Sequence, residues 1–275
     1  MPGSPRVPGS PRVKCVIRTD VPPPEPATLV DDFAPPLILP GAHKLCAGCG
    51  EPAAMRAVVE MIAEMGFTRR AVAVFGIGCY TAFSPGLDVE VMQALHGRAP
   101  SLATGLKRVH PDSIVFTMQG DGDMVNEGLQ EVIHTAARGE NVTCVMLNNG
   151  VFGETGGHMT ATTVLGQRTK NSLEGREAKK HGFPIRMAEM LAPLDGVAYV
   201  ARGATNNARN IFRTRKMLRS ALAAQDEKRG FSFVEILTMC PTGWFIETGD
   251  APAYLSDKMA SFHKMGVIKN AAVAS

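Results

Sequence analysis

The sequence predicts an open, mostly parallel α/β sheet with helices on both faces. Three observations carry that expectation. Short apolar runs, AVAVFGI at Ala71–Ile77, IVFTMQ at Ile114–Gln119 and VTCVML at Val142–Leu147, end in Gly, Asp or Asn, as strands buried on both sheet faces do. Segments with helical period lie between them. The composition, 45% hydrophobic and 20% charged over 275 residues, is that of a globular chain with enough apolar sequence to close a core.

In chain order, the first segment reads PGSPRV twice, at Pro2–Val7 and Pro8–Val13. Residues 1–40 are therefore expected to be a Pro-rich tail or extended arm, with one domain over 41–275. A helix is expected from Glu51 to Gly66, with Ala54, Val58, Met61, Ile62 and Met65 on one face and Gly66 as the stop. The strand Ala71–Ile77 follows, then a helix over Ser101–Val109 with Ser101 as its cap. Ile114–Gln119, a helix over Val125–Arg138 and Val142–Leu147 form a βαβ unit, which places Asp121 and Asn149 at one sheet edge. Val151–Gly175 has glycines and threonines but no apolar period, the mark of an active-site loop. A strand at Val197–Ala201, a helix over Asn207–Gln225 with Ile211, Leu218 and Leu222 on one face, and a strand Phe231–Leu237 leading to Cys240 complete the alternation.

Composition excludes several classes. The net charge is +3 and no Lys or Arg run is long enough for a nucleic-acid footprint. No apolar stretch reaches bilayer length and no secretory core opens the chain, so no membrane insertion is expected. Six cysteines without such a leader point to a reducing, cytoplasmic setting, where thiols serve metals or catalysis more often than disulfides.

Two constellations carry chemistry. Gly120-Asp121-Gly122-Asp123 opens a helix at a strand end, where free N–H groups and close backbone approach suit a phosphate. Twenty-five residues separate Gly122 from Asn148-Asn149, so Asp121, the Asn149 amide oxygen and a carbonyl just beyond it could ligate Mg²⁺. Taken singly, Asp-Gly and Asn-Gly are ordinary turn formers. Cys46-Ala-Gly-Cys49 could be a zinc site, a redox pair or half of an iron–sulfur site. Cys79 and Cys240 sit at the same sheet edge, and four thiolates suffice for a [4Fe–4S] cluster. Cys144, mid-strand, is assigned to packing and Cys15 to a disordered thiol.

The GDG-to-NN pattern resembles the thiamine diphosphate signature. With LCAGCGEP, GIGCY, HGRAPSLATGLKRVHPD, NNGVFGETGGHMTATT and CPTGW in order from about His43 to Trp244, the chain is similar to β subunits of 2-oxoacid:ferredoxin oxidoreductases, especially those acting on 2-oxoisovalerate or 2-oxoglutarate. The resemblance implies a thiamine-diphosphate-binding fold and oxidative decarboxylation of a 2-oxoacid to acyl-CoA and CO₂, or the reverse. It implies that Asp121, Asn149 and the Val151 carbonyl hold Mg²⁺, with Gly120, Gly122 and Asp123 around the diphosphate. Cys46, Cys49, Cys79 and Cys240 would bind the cluster, with Gly78, His96 and Gly97 beside the cofactor and Glu154 and Thr155 on the loop nearest the substrate. A structural His in a helix cap is the alternative for His96.

It also implies partners: α and γ subunits, a ferredoxin-like δ subunit, and ferredoxin or another acceptor. The glutamate that activates the thiazolium would come from a partner, leaving the chain inactive alone. Relatives commonly carry an uncharged residue at Glu154 and Gln at His158. An acid there should disfavour a second substrate carboxylate unless protonated or paired with a base such as Arg168, so Glu154 is expected to tune substrate choice. The rival readings are a non-redox thiamine diphosphate decarboxylase subunit with structural zinc and a non-catalytic zinc scaffold.

Overall fold

A computed structural model describes residues 44–271. The 1–40 segment, its repeat and Cys15 lie outside the described residues. The elements used below are α1 (Glu51–Glu64), β1 (Ala71–Phe75), β2 (Glu90–Gln93), α2 (Ala99–Val109), β3 (Ile114–Gly120), α3 (Leu129–Ala137) and β4 (Thr143–Asn148). They continue with a hairpin of β5 (Val151–Phe152) and β6 (His158–Met159), then α4 (Ala178–His181), α5 (Met187–Leu191), β7 (Val197–Ala204), α6 (Ala208–Asp226), β8 (Phe231–Leu237), α7 (Pro241–Trp244), α8 (Ala251–Tyr254) and β9 (Gly266–Asn270).

The main sheet has seven strands in the order β2-β1-β3-β4-β8-β7-β9, all parallel except β9, which runs antiparallel to β7 at one edge. Period-2 alternation divides the central strands between two cores. Ile114, Phe116, Met118, Val145, Leu147, Val234 and Ile236 face the layer of α1 and α6. Val115, Cys144, Met146, Phe231 and Phe233 face the layer of α2, α3 and α5. Helices therefore cover both faces, as a parallel sheet with its fully apolar strands requires. In α1, Ala54, Val58, Met61 and Ile62 are buried and Met65 packs against their cluster, as its period predicts. Cys144 is fully buried in mid-strand.

Several boundaries differ from expectation. β1 stops at Phe75, and the next residues turn toward the site. α2 begins at Ala99, so Ser101 lies inside its first turn and is not its cap. Pro100 explains the shift, since its fixed φ and missing N–H suit the first helical positions. The helix expected over Val125–Arg138 is broken in two. Gly122–Glu127 forms a wider π-type turn, and α3 starts only after Gly128. The Val151–Gly175 loop contains a short antiparallel hairpin. Beyond Cys240 the chain folds back over the strand ends, where Trp244, Ala251, Leu255 and Met259 form a third cluster with Val151, Ala204 and Leu237. No helix among the described residues is long and apolar enough to cross a membrane.

Candidate active site

Turns after β1, β3, β4 and β8 meet at the carboxyl edge of the sheet. One cavity there, of about 160 Å³, is lined by Gly78, Cys79, His96, Gly120, Asp121, Gly122, Asp123, Asn149, Val151, Glu154 and Thr155. The βαβ spacing thus brings together the residues expected around thiamine diphosphate and Mg²⁺. A second cavity, of about 170 Å³, is lined by all four cysteines expected to act together, Cys46, Cys49, Cys79 and Cys240. Glu51, Cys79, Asn149 and Gly153 border both cavities.

In the first cavity Asp121 is 1% exposed. It accepts from the Thr162 hydroxyl at 2.5 Å. Burial pushes its carboxyl up to about 6, against hydrogen bonds from Thr160 and Thr162 that pull it down. A hard divalent ion would offset that cost. Asn149 Oδ1 accepts from Val151 N–H at 3.0 Å, a tight Asx turn that sets its amide beside the Val151 backbone. Trp244 Nε1 donates to the Asn149 carbonyl at 2.6 Å and holds this turn from behind. The Asp121 carboxylate after β3, with the Asn149 amide oxygen and Val151 carbonyl of the turn after β4, could supply the all-oxygen donors that Mg²⁺ takes, the cation a diphosphate needs.

Asp123 has a different part. Its carboxylate accepts from Gly97 N–H at 2.9 Å, Gln119 Nε2 at 2.8 Å, Tyr80 OH at 3.2 Å and Ile77 N–H at 3.3 Å. It therefore ties the loop after β1 to the His96-Gly97 turn. Gly97 is required in that turn, with φ +73° and an added Cβ only 2.3 Å from the Glu127 carbonyl oxygen. His96 is half exposed at the rim, its Nδ1 2.9 Å from Glu127 and 3.5 Å from Asp123. It lines the cavity and faces two carboxylates of the Gly122–Glu127 turn. Glu154 and Thr155 are exposed at the mouth. Arg168 donates to the Leu173 carbonyl at 2.6 Å, not to Glu154.

In the second cavity the cysteines come from three places. Cys46 and Cys49 flank a turn closed by Cys49 N–H to the Cys46 carbonyl at 3.2 Å. Cys79 follows β1 and Cys240 follows β8. Two glycines keep the space open. A Cβ on Gly153 would sit 3.3 Å from Cys79 Sγ, and one on Gly243 2.8 Å from Cys240 Sγ. Burial is the main cause holding the Cys49 and Cys79 thiols well above their ordinary range and Cys240 up to about 12, with Glu51 adding to each. Such thiols stay protonated until metal displaces the proton. Among the described residues the one close set of three ligand-type groups is His96, Asp123 and Glu127, whose atoms lie within 4.8 Å of one another. The cysteine sulfurs form no such set, whereas tetrahedral zinc with Zn–S of about 2.3 Å would draw them to about 3.8 Å.

Glu51, the first residue of α1, is a further buried carboxyl at the wall between the cavities. It is 3% exposed, and its Oε1 accepts a long 3.4 Å hydrogen bond from Asn149 Nδ2, while Oε2 has no partner. Burial, then Asp121 and Glu154, push it up to about 8.

Fold and site together define a thiamine-pyrophosphate-binding domain, and residues 76–236 match the family model described as thiamine pyrophosphate enzyme, C-terminal TPP binding domain. Over 220 residues the chain is 36% identical to the ketoisovalerate oxidoreductase subunit VorA of Methanothermobacter thermautotrophicus, covering 80% of this chain but 46% of that one. Over 213 residues it is 34% identical to the 2-oxoglutarate synthase subunit KorB of Archaeoglobus fulgidus, covering 77% of this chain and 75% of that one. Its fold is like that of a 2-oxoglutarate:ferredoxin oxidoreductase from Magnetococcus marinus, with a TM-score of 0.67 and 24% identity over 86% of this chain and 84% of the other. The chain belongs to the family of thiamine-pyrophosphate-binding subunits of 2-oxoacid oxidoreductases. It spans about half the length of the VorA relatives it matches.

Proposed function

We propose that this chain, within an assembly, decarboxylates a 2-oxoacid oxidatively to an acyl-CoA and CO₂, or runs the reverse, and passes the electrons to ferredoxin or a similar acceptor. The observation that carries this reading is the shared wall of the two cavities, with Cys79 and Asn149 bordering both. Bound thiamine diphosphate would supply nucleophilic and electron-sink chemistry at the 2-oxo carbon, and a [4Fe–4S] cluster would supply one-electron transfer. Asp121, Asn149 and the Val151 carbonyl hold Mg²⁺. Gly120 and Gly122 leave room for the diphosphate, and Asp123 fixes the surrounding turns. Cys46, Cys49, Cys79 and Cys240 hold the cluster. His96, Gly78 and Gly97 border the cofactor, and Glu154 and Thr155 meet the substrate at the mouth.

Partner subunits complete the machinery, among them α and γ subunits and a ferredoxin-like δ subunit. The test is spectroscopic and kinetic. The native assembly should be brown, with broad absorbance toward the blue, and should reduce a viologen dye only with both a 2-oxoacid and coenzyme A. The purified chain alone should retain the colour without the activity. A colourless, zinc-containing protein would replace this reading with that of a non-redox thiamine diphosphate decarboxylase.

A further inference from the structure

Behind Asp121, on the face of the sheet away from α1 and α6, runs a chain of buried polar groups that the proposed reaction does not use. Arg202 on β7 and Glu235 on β8 are register partners on adjacent parallel strands. Both side chains are 0% exposed, with Arg202 Nε 2.8 Å from Glu235 Oε2. Toward the protein edge, the Arg202 guanidinium also takes Glu189 in a two-pronged contact at 2.6 and 2.9 Å. Toward the site, Glu235 Oε1 accepts from Asn148 Nδ2 at 2.7 Å. Asn148 Oδ1 then accepts from Gly150 N–H at 3.0 Å and, with the Thr162 oxygen 3.2 Å away, shares that hydroxyl's single proton with Asp121. Thr162 is the residue whose hydroxyl reaches Asp121. His263, from the C-terminal segment folded over the site, brackets the set, with Nε2 3.1 Å from the Thr162 carbonyl and Nδ1 3.9 Å from Glu235 Oε1.

The energetics argue that this arrangement is not there for stability. Taking Arg202 and Glu235 out of water costs several kcal/mol per ion, and apolar residues of similar volume are commonly as stable or more so. What the charges supply is direction. The Asn148 amide is held at both ends, its nitrogen donating to Glu235 and its oxygen accepting from Gly150 N–H, so it cannot flip. Its oxygen then holds both the Gly150 turn, next to Asn149 and Val151, and the Thr162 hydroxyl on Asp121. One fixed group thus reaches both halves of the all-oxygen donor set.

We infer that the Arg202–Glu235–Asn148–Thr162 relay, bracketed by His263, is a positioning network for the divalent cation that anchors the diphosphate. This rests on the reading that Asp121, Asn149 and the Val151 carbonyl hold that cation. Groups that orient ligand residues in this way are typically worth about 10- to 100-fold in metal affinity when removed. The network acts through Asp121 and Asn149 and touches neither substrate nor cofactor.

The experiment uses the full chain in its native assembly, stripped with EDTA, and measures thiamine diphosphate binding by equilibrium dialysis across a Mg²⁺ titration. Glu235→Gln and Thr162→Val should each raise the half-saturating Mg²⁺ concentration by about tenfold or more. Cofactor affinity at saturating Mg²⁺ should return to the wild-type value. Thr162→Ser, which keeps the hydroxyl, should stay within about threefold of wild type. A merely structural role would lower Tm and leave the Mg²⁺ midpoint in place, and that result overturns the inference. Should Glu235→Gln not fold, the Thr162 pair decides alone, with equal midpoints for Val and Ser refuting it. If the wild-type assembly binds thiamine diphosphate without any divalent cation, the reading of Asp121 and Asn149 fails and the inference falls with it.

Discussion

Replacing Arg202 with Met is the sharpest test of the buried charge arrangement as a matter of stability. Arg202 is fully buried beside Glu235, which is also 0% exposed. Without the guanidinium, Glu235 keeps the Asn148 amide at 2.7 Å and has His263 at 3.9 Å. Neither repays a carboxylate held out of water. Removing one partner of such a pair costs about 3–5 kcal/mol. For a domain of this size each kcal/mol lowers Tm by about 2–4 °C, so Arg202→Met should melt about 6–20 °C early. Adding Glu235→Met removes the stranded charge, and the double variant should then cost less than the two single ones combined. Melts of the four proteins followed by circular dichroism, with urea titrations for the free energies, complete the cycle. A single-variant loss below about 1 kcal/mol, the range of exposed pairs, or strictly additive effects would refute the reasoning.

In the chain free of metal and cofactor, Asp121 and Glu51 stand at about 6 and about 8, above the ordinary carboxylate range. The folded state therefore binds more protons than the unfolded one, and Tm should fall as pH rises from about 5 to 8. Mg²⁺ with thiamine diphosphate should flatten that slope, and a rising profile would count against it. Cys79→Ser and Cys240→Ser should abolish most iron binding and blue absorbance, whereas Cys144→Ser should keep the iron and lose only stability, by about 1–3 kcal/mol for a buried hydroxyl. Equal iron content in all three would remove the cluster assignment. Glu154→Met, at the cavity mouth, should shift the relative rates among 2-oxoacids toward those with a second carboxylate, and unchanged ratios would exclude it from substrate choice.

How much could be read in advance follows from where each signal resides. The central strands were legible because burial on both faces makes them continuously apolar, as in AVAVF and VFTM. β2 and β9 were not. EVMQ and GVIKN lie at sheet edges with half-exposed, mixed side chains and carry no comparable run. The break at Gly122–Glu127 was hidden because the helical period continues across it, and only contacts with the cavity select the wider turn. Asp121, Asn149 and the cysteines were legible because strand ends converge at one edge whatever the loops do. Thr162, Tyr80 and His263 were not, since each acquires its partner from a segment distant in sequence, and a lone Thr, Tyr or His has no local mark. Glu51 marked only the start of the first helix. Its position between two cavities is a purely tertiary fact.

The order in which the cysteines occur has a consequence for biogenesis. Cys46 and Cys49 precede α1, while Cys240 follows β8, so nearly the whole domain must leave the ribosome before all four thiols can meet. Until then Cys46, Cys49 and Cys79 are without the fourth thiol. A cluster held by all four would therefore be completed only after the last parallel strand has slotted between β4 and β7.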